Sequence, residues 1–145
     1  MILANETETM NVGGKLAKLL RPGDVVALSG PLSAGKTTLV RGLLSALGHV
    51  GEVPSPSFAI VQPYERLDPP VWHVDLYRID DPSELAELGL DEAGDEGVLI
   101  VEWPEHAGIG AWPNALALSL EPAADGSRAL TAKVPEAWEG RWPFP

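Results

Sequence analysis

Residues 30–37 read Gly-Pro-Leu-Ser-Ala-Gly-Lys-Thr, a full match to the pattern G-x-x-x-x-G-K-[ST]. Residues of these types at this spacing bind a polyphosphate. The backbone N–H groups of such a loop wrap a β-phosphate, and the following helix points the positive end of its dipole at the anion. Gly30 and Gly35 allow backbone angles and close approaches that a Cβ would block. Ser33 and Ala34 lie between them in the cradle. Lys36 is placed to bridge β- and γ-phosphate oxygens, the Thr37 hydroxyl to ligate Mg²⁺, and Thr38 to hydrogen-bond the α-phosphate. Ser33 stands mid-loop where a glycine is common, so a positive φ there would strain the loop, whereas an ordinary conformation would cost nothing. The competing reading is a chance glycine turn ahead of a helix; the order strand, loop, Lys-Thr, helix argues against it.

Such a loop only binds. Hydrolysis also needs charge neutralisation by Mg²⁺ and a group that orients water for in-line attack. Two acids are candidates for both catalytic and metal-ligating roles beside Lys36. Glu102 ends the apolar run 98–101, where a parallel strand would deliver its carboxylate to the C-terminal edge of a sheet beside the loop; the alternative is a plain strand-end acid. Asp75 alternates onto one strand face with Val71, His73 and Tyr77, while Trp72, Val74 and Leu76 take the other. An acid on such a face wants a partner, which Mg²⁺ or Lys36 would supply. For His73 a hydrogen-bonded structural role competes with catalysis. Trp103 directly follows Glu102 and reads as a partner-facing anchor, a lid or a core residue. Ser55 and Ser57 lie in a proline-stiffened loop, the kind of segment that senses a γ-phosphate in nucleotide switches.

The elements that must position these residues follow from periodicity. Helical spacing predicts a helix over 9–20 and another over 36–47 with Gly48 as its C-cap. The runs 25–28 and 98–101 read as strands buried on both faces of a parallel sheet. Strands over 58–64 and 71–76 are expected to pair as a hairpin. Pro82 starts a short acidic helix over 84–88, which a Gly- and Asp-rich connection follows. The runs 115–120 and 129–134 flank the turn Asp125-Gly126-Ser127. The tail from Trp138 carries no readable signal. The expected architecture is α/β, a P-loop NTPase-like three-layer fold with a mixed, mainly parallel central sheet and a peripheral C-terminal hairpin. Residues 1–145 are expected to form one domain.

The chain has 145 residues, 45% of them apolar and 21% charged, with no cysteine. A mean hydropathy near zero fits a globular chain and excludes disordered or collagen-like classes. No apolar run approaches the roughly 18 residues of a membrane helix, and the N-terminus lacks a secretory pattern, so a cytoplasmic protein is expected. The net charge of −11 is unevenly spread. Residues 1–49 hold five basic and three acidic residues, residues 50–105 hold two and fourteen, and residues 106–145 three and four. That acidity disfavours independent binding of nucleic acid and of anionic membranes.

Taken together, GPLSAGKTT, the ALG after the second helix, SPSF, HVDLYR and VEWP, in this order and spacing, resemble the TsaE family, formerly called YjeE. The resemblance runs from about residue 6 to 104 and is loose in the C-terminal third. It implies an ATPase of bacterial tRNA threonylcarbamoyladenosine formation, with ATP and Mg²⁺ as cofactors and the TsaB and TsaD proteins as partners. It also implies that Asp75 and Glu102 are the family's essential acids, Glu102 being a Mg²⁺ ligand. Trp103 would be its functional tryptophan, Ser57 would replace a usual switch threonine, and the segment from Glu6 to Thr9 would lie near the adenine. Pro31 and Ser33 depart from the Asp and Gly common in the family. Two other readings compete. A small nucleoside or nucleotide kinase usually brings several lid cations to the transferred phosphoryl group, and residues 79–127 hold no Lys or Arg. A nucleotide-timed assembly factor would need little hydrolysis.

Overall fold

A computed structural model describes residues 1–32, 34–54, 56, 60–108 and 110–144. Seven strands form one sheet: β1 (Ile2–Leu3), β2 (Val25–Ser29), β3 (Val61–Tyr64), β4 (Val71–Asp75), β5 (Val98–Glu102), β6 (Leu116–Pro122) and β7 (Arg128–Lys133). Their order is β1-β7-β6-β2-β5-β4-β3. The ladders β6-β2, β2-β5 and β5-β4 are parallel and make the centre, while β3-β4, β6-β7 and β7-β1 are antiparallel and make the flanks. Both expected hairpins form. The C-terminal one is less peripheral than its position in the chain suggests. β7 lies toward the edge, but β6 pairs directly with β2, aligning Val26 with Leu116 and Ser29 with Ser119.

Helices α1 (Glu6–Ala17) and α2 (Lys36–Ala46) cover one face. Val12, Leu16, Leu39 and Leu43 pack there against Val26, Leu28, Ile100 and Leu118. α1 starts three residues before the apolar spacing indicates, because Asn5 caps it by accepting from the Glu8 N–H at 3.0 Å while the Glu8 carboxylate accepts from the Ala4 N–H. It also ends sooner, since Leu19 bonds back to the Leu16 carbonyl in a tighter turn. α2 ends as expected, with Gly48 at φ +102°.

On the opposite face a 3₁₀ helix (Pro82–Leu88), α3 (Leu90–Glu96) and a second 3₁₀ helix (Pro104–Ala107) cover Val74, Leu76, Leu99 and Val101. The expected connection after residue 88 is therefore largely helical. Gly89, at φ +68°, ends one helix and starts the next, and a segment that buries only Leu90 shows no apolar period to read. The tail is also ordered by the core. Trp138 is 1% exposed, and Arg141 stacks on its ring while gripping both Asp24 oxygens at 2.9 Å.

The helix that carries the Lys-Thr pair is set by glycine contacts. A Cβ on Gly42 would stand 2.1 Å from the Met10 carbonyl oxygen, and one on Gly13 would stand 2.1 Å from that of Leu39. The two backbones thus touch reciprocally, and neither oxygen can retreat without moving its helix. Gly42→Ala is expected to destabilise the fold by about 3 kcal/mol, lowering the melting temperature by roughly 6–12 °C in a thermal scan. An unchanged melting temperature would show that the helix pair yields at no cost.

Candidate phosphate-binding site

The loop leaves β2 after Ser29 and enters α2 at Lys36. Two positions require glycine. Gly30 has φ +141°, and a Cβ on it would lie 2.4 Å from the Leu120 carbonyl oxygen of β6. Gly35 has φ +102° and caps α2 with no side-chain bond, so the first N–H groups of an 11-residue helix stay open to an anion. Ala34 packs inward, 1% exposed. The expected loop residue Ser33 and the switch serines Ser55 and Ser57 lie outside the described residues.

A cleft of about 400 Å³ lies over this loop. Ala34, Gly35, Lys36, Thr37 and Thr38 form its floor, and Asp75, Glu102 and Trp103 line it from the sheet edge. The parallel register sets Asp75 beside Glu102 and Glu102 beside Leu28, the residue before Ser29. Of the two residues expected near an adenine, Glu6 lines the cleft. Thr9 does not; it is fully buried in α1, its hydroxyl donating to the Asn5 carbonyl at 3.1 Å.

Lys36 is 5% exposed. Its ammonium donates to the Gly30 carbonyl at 2.7 Å and sits 3.8 Å from the centre of the Trp103 ring. Burial pushes its pKa below the ordinary lysine value, against the opposing pull of Glu102, Asp75 and Glu105. Trp103 reaches this position from a left-handed backbone, φ +58° and ψ +49°, which costs an aromatic residue about 1–3 kcal/mol. Tyr77 and His106 pack against the same indole with ring centres at 5.0 and 5.7 Å. The Trp103 ring thus covers the lysine ammonium.

Glu102 is 3% exposed, and its Oε2 accepts from His73 Nε2 at 2.5 Å. The Asp75 carboxylate accepts from the Tyr77 N–H at 2.9 Å. Thr37, Asp75 and Glu102 supply hard oxygen donors. Among the described residues no three His, Cys, Asp or Glu side chains cluster tightly enough to cage a metal. A hydroxyl, one or two carboxylates and substrate phosphates are the donor set that suits Mg²⁺, which keeps some of its waters and rarely takes an all-protein cage.

Sequence reasoning missed Arg128. From the start of β7 it lines the cleft, and its guanidinium packs so closely over Gly35 that a Cβ there would meet Nη1 at 2.6 Å. Among the described residues no carboxylate stands within ion-pair range of it; it donates to the Gly126 carbonyl at 3.2 Å. The turn at 125–127 could have placed Arg128 at a strand start. Only the pairing of β6 with β2 brings that strand to the loop.

A family model described as "Threonylcarbamoyl adenosine biosynthesis protein TsaE" matches residues 3–130. Among similar proteins, the tRNA threonylcarbamoyladenosine biosynthesis protein TsaE of Streptomyces coelicolor is 50% identical over 97 residues, which cover 65% of this chain and 66% of that protein. The proteins of the same name from Rickettsia felis and Bacillus subtilis are 35% and 38% identical over 88% of this chain, covering 75% and 80% of theirs. The crystal structure of Bacillus subtilis YdiB matches with a TM-score of 0.80 at 33% identity, covering 97% of this chain and 88% of that one.

Proposed function

The chain belongs to the TsaE family of threonylcarbamoyladenosine biosynthesis proteins, and on that premise we propose that it is a Mg²⁺-dependent ATPase of that tRNA modification. In this reading it works in the cytoplasm, docks on the TsaB–TsaD complex and supports threonylcarbamoyl transfer to the adenosine beside the anticodon. The observation that carries the ATPase reading is one juxtaposition. A complete phosphate loop leaves a central parallel strand, and the neighbouring strand delivers Glu102 to the same cleft.

ATP would enter with its β-phosphate over the open N–H groups of α2 and draw the Lys36 ammonium from the Gly30 carbonyl and the Trp103 ring onto phosphate oxygens. Arg128 is a second cation at the same mouth. Thr37, Asp75 and Glu102 are the residues that would hold Mg²⁺, which neutralises charge across the β- and γ-oxygens when bound. Glu102 orients a water for in-line attack on the γ-phosphorus; the bond to the β–γ bridging oxygen breaks, leaving ADP and inorganic phosphate.

Much of the remaining acidity is on the surface. Glu84, Glu87, Asp91 and Glu96 stand exposed on the 3₁₀ helix and α3. Such a face suits a protein partner and repels RNA, so the isolated chain is expected to show no salt-sensitive tRNA binding. Among the described residues no helix is long and apolar enough to cross a membrane.

ATP turnover measured with and without TsaB–TsaD tests the reading. Phosphate release that the complex stimulates is the expected result. Nucleotide-dependent docking without turnover would leave a timed assembly factor instead. Label recovered on a nucleoside would make the chain a kinase, which the lack of Lys and Arg over residues 79–127 argues against.

A further inference from the structure

His73 lies in the middle of β4 with no exposure, paired in register with Ile100 on one side and Gln62 on the other. An imidazole at the centre of a strand displaces aliphatic packing and buries two polar nitrogens. A histidine kept for structure spends its nitrogens on the fold, as His106 does by donating from Nδ1 to the Leu76 carbonyl at 2.7 Å. His73 does not. Among the described residues its Nδ1 is buried with no hydrogen-bond partner, and its one polar contact is the 2.5 Å bond from Nε2 to Oε2 of Glu102. An orphaned buried nitrogen costs folding free energy, and what the imidazole gives in return is the bond that its other nitrogen, Nε2, makes to Glu102.

We infer that His73 is a positioning residue for the Glu102 carboxylate. The Nε2–H fixes Oε2, which stops rotation about the carboxyl bond and leaves Oε1 as the oxygen available to the cleft that Glu102 lines. A strand-end carboxylate with one oxygen held from below presents a single lone-pair direction to a cation or a water. Outer partners of this kind change metal affinity or activity by about 10–100-fold when removed. Asp75 lies two residues along on the same strand face and beside Glu102 in register, so the imidazole anchors the inner side of a carboxylate pair.

The inference rests on the ATPase reading, and two variants that differ only in reach test it. In His73→Gln the side-chain amide nitrogen can take the position of Nε2, whereas in His73→Asn it falls at the level of Nδ1, short of Glu102. His73→Asn is expected to lower kcat by about 10–100-fold and to weaken Mn²⁺ binding to the ATP complex, read by electron paramagnetic resonance, by a similar factor. Affinity for ATP in EDTA should stay within about twofold of wild type, because the metal-free phosphates are held by the loop. His73→Gln should recover most of both losses. Equal behaviour of the two variants, or metal-free ATP affinity falling in step with kcat, would reduce His73 to a core residue. A wild-type chain that binds no ATP would sink the ATPase reading itself.

Discussion

Lys36→Ala is expected to lower ATP turnover by about 10²–10³-fold and ATP affinity by roughly 10–100-fold. The reason lies in what remains when the ammonium is gone. Asp75 and Glu102 are 4% and 3% exposed and line the same cleft. Without the lysine, Arg128 is, among the described residues, the one protein cation left lining the cleft to offset two buried carboxylates against up to four phosphate charges, where water screens poorly. Lys36→Arg should not rescue the loss. The wild-type ammonium fits between the Gly30 carbonyl and the Trp103 ring, and a planar guanidinium is wider than that slot. Calorimetric titration of each variant with ATP, followed by phosphate release, separates the two effects. An alanine variant that bound ATP within threefold of wild type would show that Arg128 and the helix N-terminus hold the nucleotide without it.

The second large effect separates chemistry from binding. Glu102→Gln keeps the shape of the side chain, and His73 can still donate from Nε2 to the amide oxygen, so the fold and the cleft should persist. What disappears is the negative charge that orients water. Turnover is expected to fall by about 10²–10⁴-fold, while ATP affinity stays level or rises slightly as one repulsive charge leaves the cleft. A variant turning over within tenfold of wild type would move the catalytic role to Asp75.

How much of this was readable in the residues follows from which forces are local. The phosphate loop, α2 with its Gly48 cap and the two continuous apolar runs that became β2 and β5 are each specified by about a dozen neighbouring residues. Glu102 could be brought to the loop on paper because it ends a buried apolar run, and a parallel sheet puts such ends on one edge, whereas Asp75 was readable as an acid on a strand face that wants a partner. Apolar spacing places the start of α1 too late because it begins inside the helix, whereas Asn5 sets the boundary through a single side-chain bond. α3 was missed because Leu90 is its one buried residue. Arg128, the docked Trp138 and the His73 contact depend on pairings between distant segments, which leave no periodic trace in the chain.

The strand order also bears on how the protein is made. β2, which launches the phosphate loop, lies between β5 and β6, strands that leave the ribosome more than 70 and more than 85 residues after it. Its edges therefore stay unpaired until those strands have been made, and the Leu120 carbonyl that packs on Gly30 belongs to the later of the two. Long-range parallel pairing of this kind forms slowly, after loop-closure entropy has been overcome. Nascent and prematurely terminated chains thus carry the whole G-x-x-x-x-G-K-T string without the scaffold that shapes it. A shaped phosphate loop is therefore expected only after β5 and β6 have joined the sheet.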